Sequence, residues 1–158
     1  IADFIKVIEL DPNYADAYIN IGFSKYNLKD YDGSIADYTK AIELNPNDAN
    51  AYNKRGCSKY NLKDYYGAIA DFIKVIELDP NYADAYINRG CSKDKLKDYD
   101  GAIADFNKAI ELNPNYANAY AGRGLSKESL GKPYCSDYKK ACELGYSSCC
   151  KWYNNQCR

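Results

Sequence analysis

The sequence predicts an all-α fold, an α-solenoid of antiparallel helix pairs repeating every 34 residues. Three observations predict it. Pro12, Pro46, Pro80 and Pro114 lie 34 residues apart, and Gly22, Gly56, Gly90 and Gly124 keep the same step. So do Tyr18, Tyr52, Tyr86 and Tyr120, and Leu28, Leu62, Leu96 and Leu130. The block Ile1 to Asn20 recurs letter for letter at Ile69 to Asn88, two repeats later, as expected of an array grown by duplicating pairs of units.

The elements follow in order. Residues 1–14 read as the second helix of a truncated repeat. Residues 15–48, 49–82 and 83–116 read as complete repeats, 117–144 as a shortened one, and 145–158 as a C-terminal capping helix. In residues 49–82 the first helix runs from Ala49 to Leu62, turns at Lys63 and Asp64, and is followed by a helix from Tyr65 to Leu78. The stop at Asp79, Pro80 and Asn81 is firm, because proline lacks an amide donor and disfavours helix in the residue before it. Gly56 and Ala68 are small where two helices must approach. Tyr52, Leu62, Ile69, Phe72, Ile76 and Leu78 recur at helical spacing and are expected in the core.

The unit Ala-x-Ala-Tyr-x3-Gly-x5-Leu-x2-Tyr-x2-Ala-x3-Phe-x7-Pro closely resembles the tetratricopeptide repeat, with Tyr where that family usually has Trp. The match runs to Leu130. The resemblance implies a right-handed superhelix of helix pairs whose first helices line a concave face. It also implies the residues that would meet a partner there: Asn20, Phe23 and Tyr26, then Asn53, Cys57 and Tyr60, then Asn88 and Cys91. Tyr14, Tyr82 and Tyr116, in the turns between units, would rim the groove. Tyr supplies rigid contact area, and an Asn amide can pair with a peptide backbone. The alternative is that these tyrosines, among 18 in the chain, fill core and seams.

One departure from the family pattern has two readings. Arg55, Arg89 and Arg123 stand where the family prefers Leu, and Ile21 holds that place in the first unit. Lys25, Lys59, Lys93 and Lys127 follow one turn later, and Asp3, Asp37, Asp71 and Asp105 repeat on the second helices. Either these form a ladder of ion pairs that fixes register between units, or the cations form a stripe that grips acidic ligands. The recurrence of an acid with every cation favours the ladder. Some arrays of the family hold a ligand's C-terminal carboxylate between Lys, Arg and Asn at fixed positions; that set is incomplete here, so the chaperone-docking function does not carry over.

Of 7 cysteines, 5 lie in the last 24 residues. The stretch from Tyr138 to Cys150 resembles the disulfide-stapled helical repeats of secreted bacterial cysteine-rich proteins, in which a Cys bonds another eight residues later on the next helix. That resemblance implies a Cys142–Cys150 bond. Cys135 lies seven residues before Cys142 and Cys157 seven after Cys150. Equal steps away from a bonded pair return to facing positions in an antiparallel hairpin, so a Cys135–Cys157 bond can nest beside it. Cys57 and Cys91 read as reduced thiols, and Cys149 as an interchain link or a buried spare. Four cysteines also admit zinc, but Cys-Cys and seven-residue steps do not match zinc knuckles, and the Cys-x-x-Cys of redox enzymes is absent. No metal and no cofactor is expected. Disulfides would place the protein outside the reducing cytosol, extracellular or periplasmic; a reduced tail would return it to the cytosol.

Composition narrows the function. Lys+Arg is 21, Asp+Glu is 22 and the net charge is -1, which gives no electrostatic reason to expect nucleic acid or an anionic membrane as partner. His is absent, and no phosphate loop or nucleophile–base pair is visible, so an enzyme is not expected. With no Met, and helix-like sequence from Ile1 onward, the chain reads as processed or as a fragment. The expected function is a non-catalytic scaffold that binds a protein or peptide partner through the concave groove. The alternative is a structural subunit assembling with copies of itself, head to tail, into an extracellular filament.

Overall fold

The computed structural model describes residues 2–157, except the side chains of Ala2, Asp3, Ile5 and Gln156; the Asp3 carboxylate, expected in the ion-pair ladder, therefore lies outside what is described. The described residues are all-α, with helices in repeating antiparallel pairs. They divide into two compact units, Ile1–Pro80 and Asn81–Arg158. The first unit holds α1 (Ala2–Leu10), α2 (Ala15–Asn27), α3 (Tyr31–Leu44), α4 (Ala49–Asn61) and α5 (Tyr65–Leu78). The second holds α6 (Ala83–Lys95), α7 (Tyr99–Leu112), α8 (Ala117–Ser129), α9 (Cys135–Glu143) and α10 (Ser147–Gln156).

One aromatic ring on each second helix organises its pair. Tyr38, Phe72, Phe106 and Tyr138 are buried, each against the glycine of the first helix. A Cβ on Gly56 would stand 2.7 Å from Phe72 Cε1, and one on Gly124 would stand 2.6 Å from Tyr138 Cε1. Any side chain there would push the ring from a filled core. Burying one such ring contributes roughly 1.5–3 kcal/mol. Ala17, Ala51, Ala85 and Ala119 complete the core at the start of each first helix, all fully buried.

The turn is short and doubly capped in the pairs α2–α3, α4–α5 and α6–α7. Leu28, Leu62 and Leu96 close their first helices, and Lys29, Lys63 and Lys97 follow at φ 62, 65 and 64. The Lys63 amide donates to the Tyr60 carbonyl and the Asp64 amide to the Lys59 carbonyl, which satisfies the last carbonyls of α4. Asp64 then caps α5, its carboxylate accepting from the Gly67 amide at 2.9 Å. Asp30 and Asp98 repeat this on α3 and α7. Leu62, expected in the core, is 42% exposed, because a C-cap residue lies beyond the last packed turn of its helix.

The C-terminal pair departs from the 34-residue frame. α9 has 9 residues where α5 has 14. Disulfides Cys135–Cys157 and Cys142–Cys150 join α9 to α10, with Cα separations of 5.6 and 4.8 Å. Cys57 and Cys91 remain thiols, as does Cys149, which is buried. Cys149 packs with Tyr138 and Ala141 in the core of this hairpin. Its place, two residues into the helix, is that of Ala85 and Ala119 in α6 and α8. Burial pushes its thiol pKa up.

Candidate partner-binding face

The repeated cations are engaged. Arg55 donates from Nε and Nη2 to both oxygens of Asp71, at 3.0 and 2.7 Å, and Lys59 lies 2.8 Å from the same carboxylate. Asp105 receives Arg89 and Lys93 in the same way, whereas at Asp137 both arms of Arg123 donate to Oδ1 and Lys127 takes Oδ2. These carboxylates are only 3–5% exposed. Each arginine also lies over the tyrosine one turn earlier: Arg55 over Tyr52, Arg89 over Tyr86 and Arg123 over Tyr120, at 5.3–5.5 Å. The described side chains thus form the ladder, not a stripe offered to acidic ligands. Its direction differs from expectation. The ion pairs join the first and second helices of one repeat, because the arginine and its acid flank the same glycine–aromatic contact. Only the remaining arms reach the preceding repeat, from Arg55 to Thr39 and from Arg123 to Asn107.

The first unit shows what the break at Ile21 does. Ile21 is buried, and Asp37 keeps Lys25 alone, 2.8 Å from Oδ2, with no hydrogen bond aligned on that buried oxygen. Charge is paired there without the two-pronged fork that arginine supplies elsewhere.

Away from the ladder, α2 and α4 share a mixed aromatic, amide and cationic face. Phe23 is 46% exposed, and Lys54 Nζ lies 4.7 Å from its ring centroid. Asn61 donates to the Tyr26 hydroxyl at 3.0 Å and to the Cys57 carbonyl at 2.8 Å. Tyr26 also meets Tyr31 edge to face, as Tyr60 meets Tyr65. Burial, then the neighbouring Cys57, push the Tyr26 phenol pKa up. Asn20 is exposed at this face, while Asn53 and Tyr60 are half-buried. Lys54, not Asn53, holds the repeat position of Asn20 and Asn88, a feature visible in the 34-residue register but missed in the sequence reading.

In the second unit the same helix positions carry different chemistry. Asp94 and Glu128 replace the tyrosines at 26 and 60. Ser126 donates to Asp94 at 2.7 Å, and the Tyr138 hydroxyl donates to Glu128 at 2.7 Å. Asn88 and Cys91 are half-buried on α6. Tyr14, Tyr82 and Tyr116 all stand at the N-cap positions of first helices, and none caps its helix through the side chain. Tyr116 instead bonds to Asp84, whose carboxylate holds the phenol pKa up to about 12. Tyr14 is 46% exposed; Tyr82 and Tyr116 are half-buried. Among the described residues, no helix is long and apolar enough to cross a membrane, and no cluster of three His, Cys, Asp or Glu side chains is placed to hold a metal.

The tetratricopeptide repeat model matches residues 15–48, 49–82 and 83–116. The chain belongs to the tetratricopeptide repeat family. Solved structures share the fold. MamA superimposes with a TM-score of 0.85 at 27% identity, over 92% of this chain and 86% of that one. The Arabidopsis OM64 tetratricopeptide domain gives 0.71 at 27% identity, over 73% of this chain and 95% of that one. The first such domain of Spaghetti (RPAP3), bound to the HSP90 peptide SRMEEVD, gives 0.73 at 24% identity, over 75% and 94%. No curated protein matches the chain.

Proposed function

We propose that this tetratricopeptide array is a scaffold that takes an extended protein segment along the face of its first helices. The observation that carries this reading is the surface shared by α2 and α4. There an exposed ring (Phe23), a cation held over it (Lys54), and tyrosine hydroxyls and asparagine amides stand together without belonging to the core. On the first unit Asn20, Phe23, Tyr26, Asn53 and Tyr60 would contact the segment, with Tyr14 at the rim; on the second, Asn88 would make its own contact, with Tyr82 and Tyr116 at the rim. Rigid amphipathic rings give contact area at small entropic cost, and amides pair with a backbone of any sequence. The ladder arginines act as structure in this scheme. Ligand chemistry is left to residues that vary between repeats.

The test is affinity. Peptides selected from a displayed random library on the intact protein are measured against a Tyr26→Ala/Tyr60→Ala variant. Affinity should fall by at least about tenfold, equivalent to about 1.4 kcal/mol, with helical content retained. Unchanged affinity overturns the groove model.

The two disulfides support maturation in an oxidising compartment, extracellular or periplasmic. Intact mass of protein from its native source, prepared without reductant, checks this. Head-to-tail assembly into a filament gains no support from the described residues or from the family match.

A further inference from the structure

We propose that α10 is a redox-latched cap, held on the array by its two disulfides and released when they are reduced. Three observations carry this. First, both disulfides join α9 to α10, and among the described residues no other disulfide is formed. Second, the two helices have 9 and 10 residues, below the roughly 12–15 at which isolated helices become even marginally stable in water. Third, the core they share is small. Cys149, Tyr138 and Ala141 are its buried members, with Tyr120, Ala121, Tyr134 and Tyr153 packed around them. α10 has no aspartate cap, since Tyr146 precedes it without a side-chain hydrogen bond to the helix. It carries no member of the arginine–lysine–aspartate ladder, whose last acid is Asp137 on α9. What remains without the disulfides, among the described residues, is the edge contact of Trp152 with Tyr138, ring centroids 6.2 Å apart, and the packing of Cys149 and Tyr153.

The chemistry balances with a dithiol as reductant. Each S–S bond accepts two electrons and two protons and becomes two thiols. The dithiol gives up the same electrons and protons and closes into its own disulfide. Release would uncover the apolar side of α9, around Tyr138 and Ala141. It would also expose Cys149, a thiol that packing otherwise shields from reagents. The latch acts at the last helix pair alone. The core rings of the other pairs, Tyr38, Phe72 and Phe106, belong to repeats without disulfides.

Trp152 is the single tryptophan, so its fluorescence reports on α10 directly. The intact chain is titrated with dithiothreitol while Trp152 emission, far-ultraviolet circular dichroism and alkylation of Cys149 by iodoacetamide, mapped by mass, are followed. On reduction, Trp152 emission should shift to the red and Cys149 should alkylate at least about tenfold faster, while most of the helical signal stays. The Cys135→Ser/Cys142→Ser/Cys150→Ser/Cys157→Ser variant should show the released state without reductant. The proposal is overturned if Trp152 and Cys149 behave alike in both states, because packing alone then holds α10. It is equally overturned if reduction melts the whole array, because the disulfides then support the repeats rather than a cap.

Discussion

The repeat at residues 49–82 and the stapled C-terminal segment build the same core with different amounts of chain. In the former, Gly56 faces Phe72, and Arg55 with Lys59 binds Asp71. In the latter, Gly124 faces Tyr138, and Arg123 with Lys127 binds Asp137. Sixteen residues separate glycine from ring in the first case and fourteen in the second. The loss falls on the second helix alone: α9 starts four residues later relative to its ring than α5, while the connection before it, residues 130–134, is two residues longer than residues 62–64. α5 begins seven residues before its ring, and α9 only three before. A helix pair of this kind therefore tolerates loss of a helical turn, provided the glycine, ring and ion-pair ladder stay in place. Disulfides compensate for the packing that shorter helices cannot supply.

The ladder is where the comparison is most easily broken. Removing Asp71 or Asp137 leaves two cations in a largely desolvated site, and Asp71→Ala or Asp137→Ala should each cost about 3–5 kcal/mol. Asp37→Ala should cost less, since one lysine, itself 30% exposed, pairs with that acid. Urea unfolding followed by circular dichroism, with Trp152 as a local reporter for Asp137, measures all three. An Asp37→Ala variant as damaged as Asp71→Ala would show that the arginine fork contributes little.

Next in size are the disulfides, which sharpen the contrast. Their sequence separations are 22 and 8. Loop-closure entropy then gives about 3.4 kcal/mol for Cys135–Cys157 and about 2.5 kcal/mol for Cys142–Cys150. Paired serine variants, Cys135→Ser/Cys157→Ser against Cys142→Ser/Cys150→Ser, should therefore lower tail stability in that order, read by Trp152 fluorescence. The reverse order would mean that native packing around the shorter loop, rather than chain entropy, sets the contribution.

What could be read from the sequence divides along the same physical line. The period, the helix pairs and the buried rings were legible because steric and desolvation demands repeat identically in every unit. Gly56, Phe72 and Pro80 are each forced by local geometry. The ladder's direction was not legible: a 34-residue period places Arg55 near two second helices at once, and only the structure shows that Asp71, not an acid of the preceding repeat, receives its fork. Leu62 recurs as faithfully as the core residues yet sits at an exposed C-cap. Periodicity marks positions under a common constraint without saying that the constraint is burial. The binding face resists sequence reading for the opposite reason. Its positions vary, from Tyr26 and Tyr60 to Asp94 and Glu128, and from Asn20 and Asn88 to Lys54, so no repeated demand identifies them.

The smallest expected effect lies in the turn between paired helices. Lys29, Lys63 and Lys97 hold left-handed backbone at φ 62–65, where the C-terminal pair has Gly131 at φ 65. A side chain in that conformation brings Cβ against the following carbonyl, at a cost of about 1–2 kcal/mol, partly offset because glycine loses more freedom on folding. Lys63→Gly should therefore stabilise by about 0.5–1 kcal/mol, and Gly131→Ala should destabilise by a similar amount. Both are surface changes. A Cβ on Gly131 would meet nothing within 4 Å, so packing cannot account for the loss. Thermal unfolding of the pair of variants decides the matter. If Lys63→Gly lowers the midpoint instead, the lysine makes a contact worth more than its strain, and the tail's glycine reflects the different connection to α9 rather than a better turn.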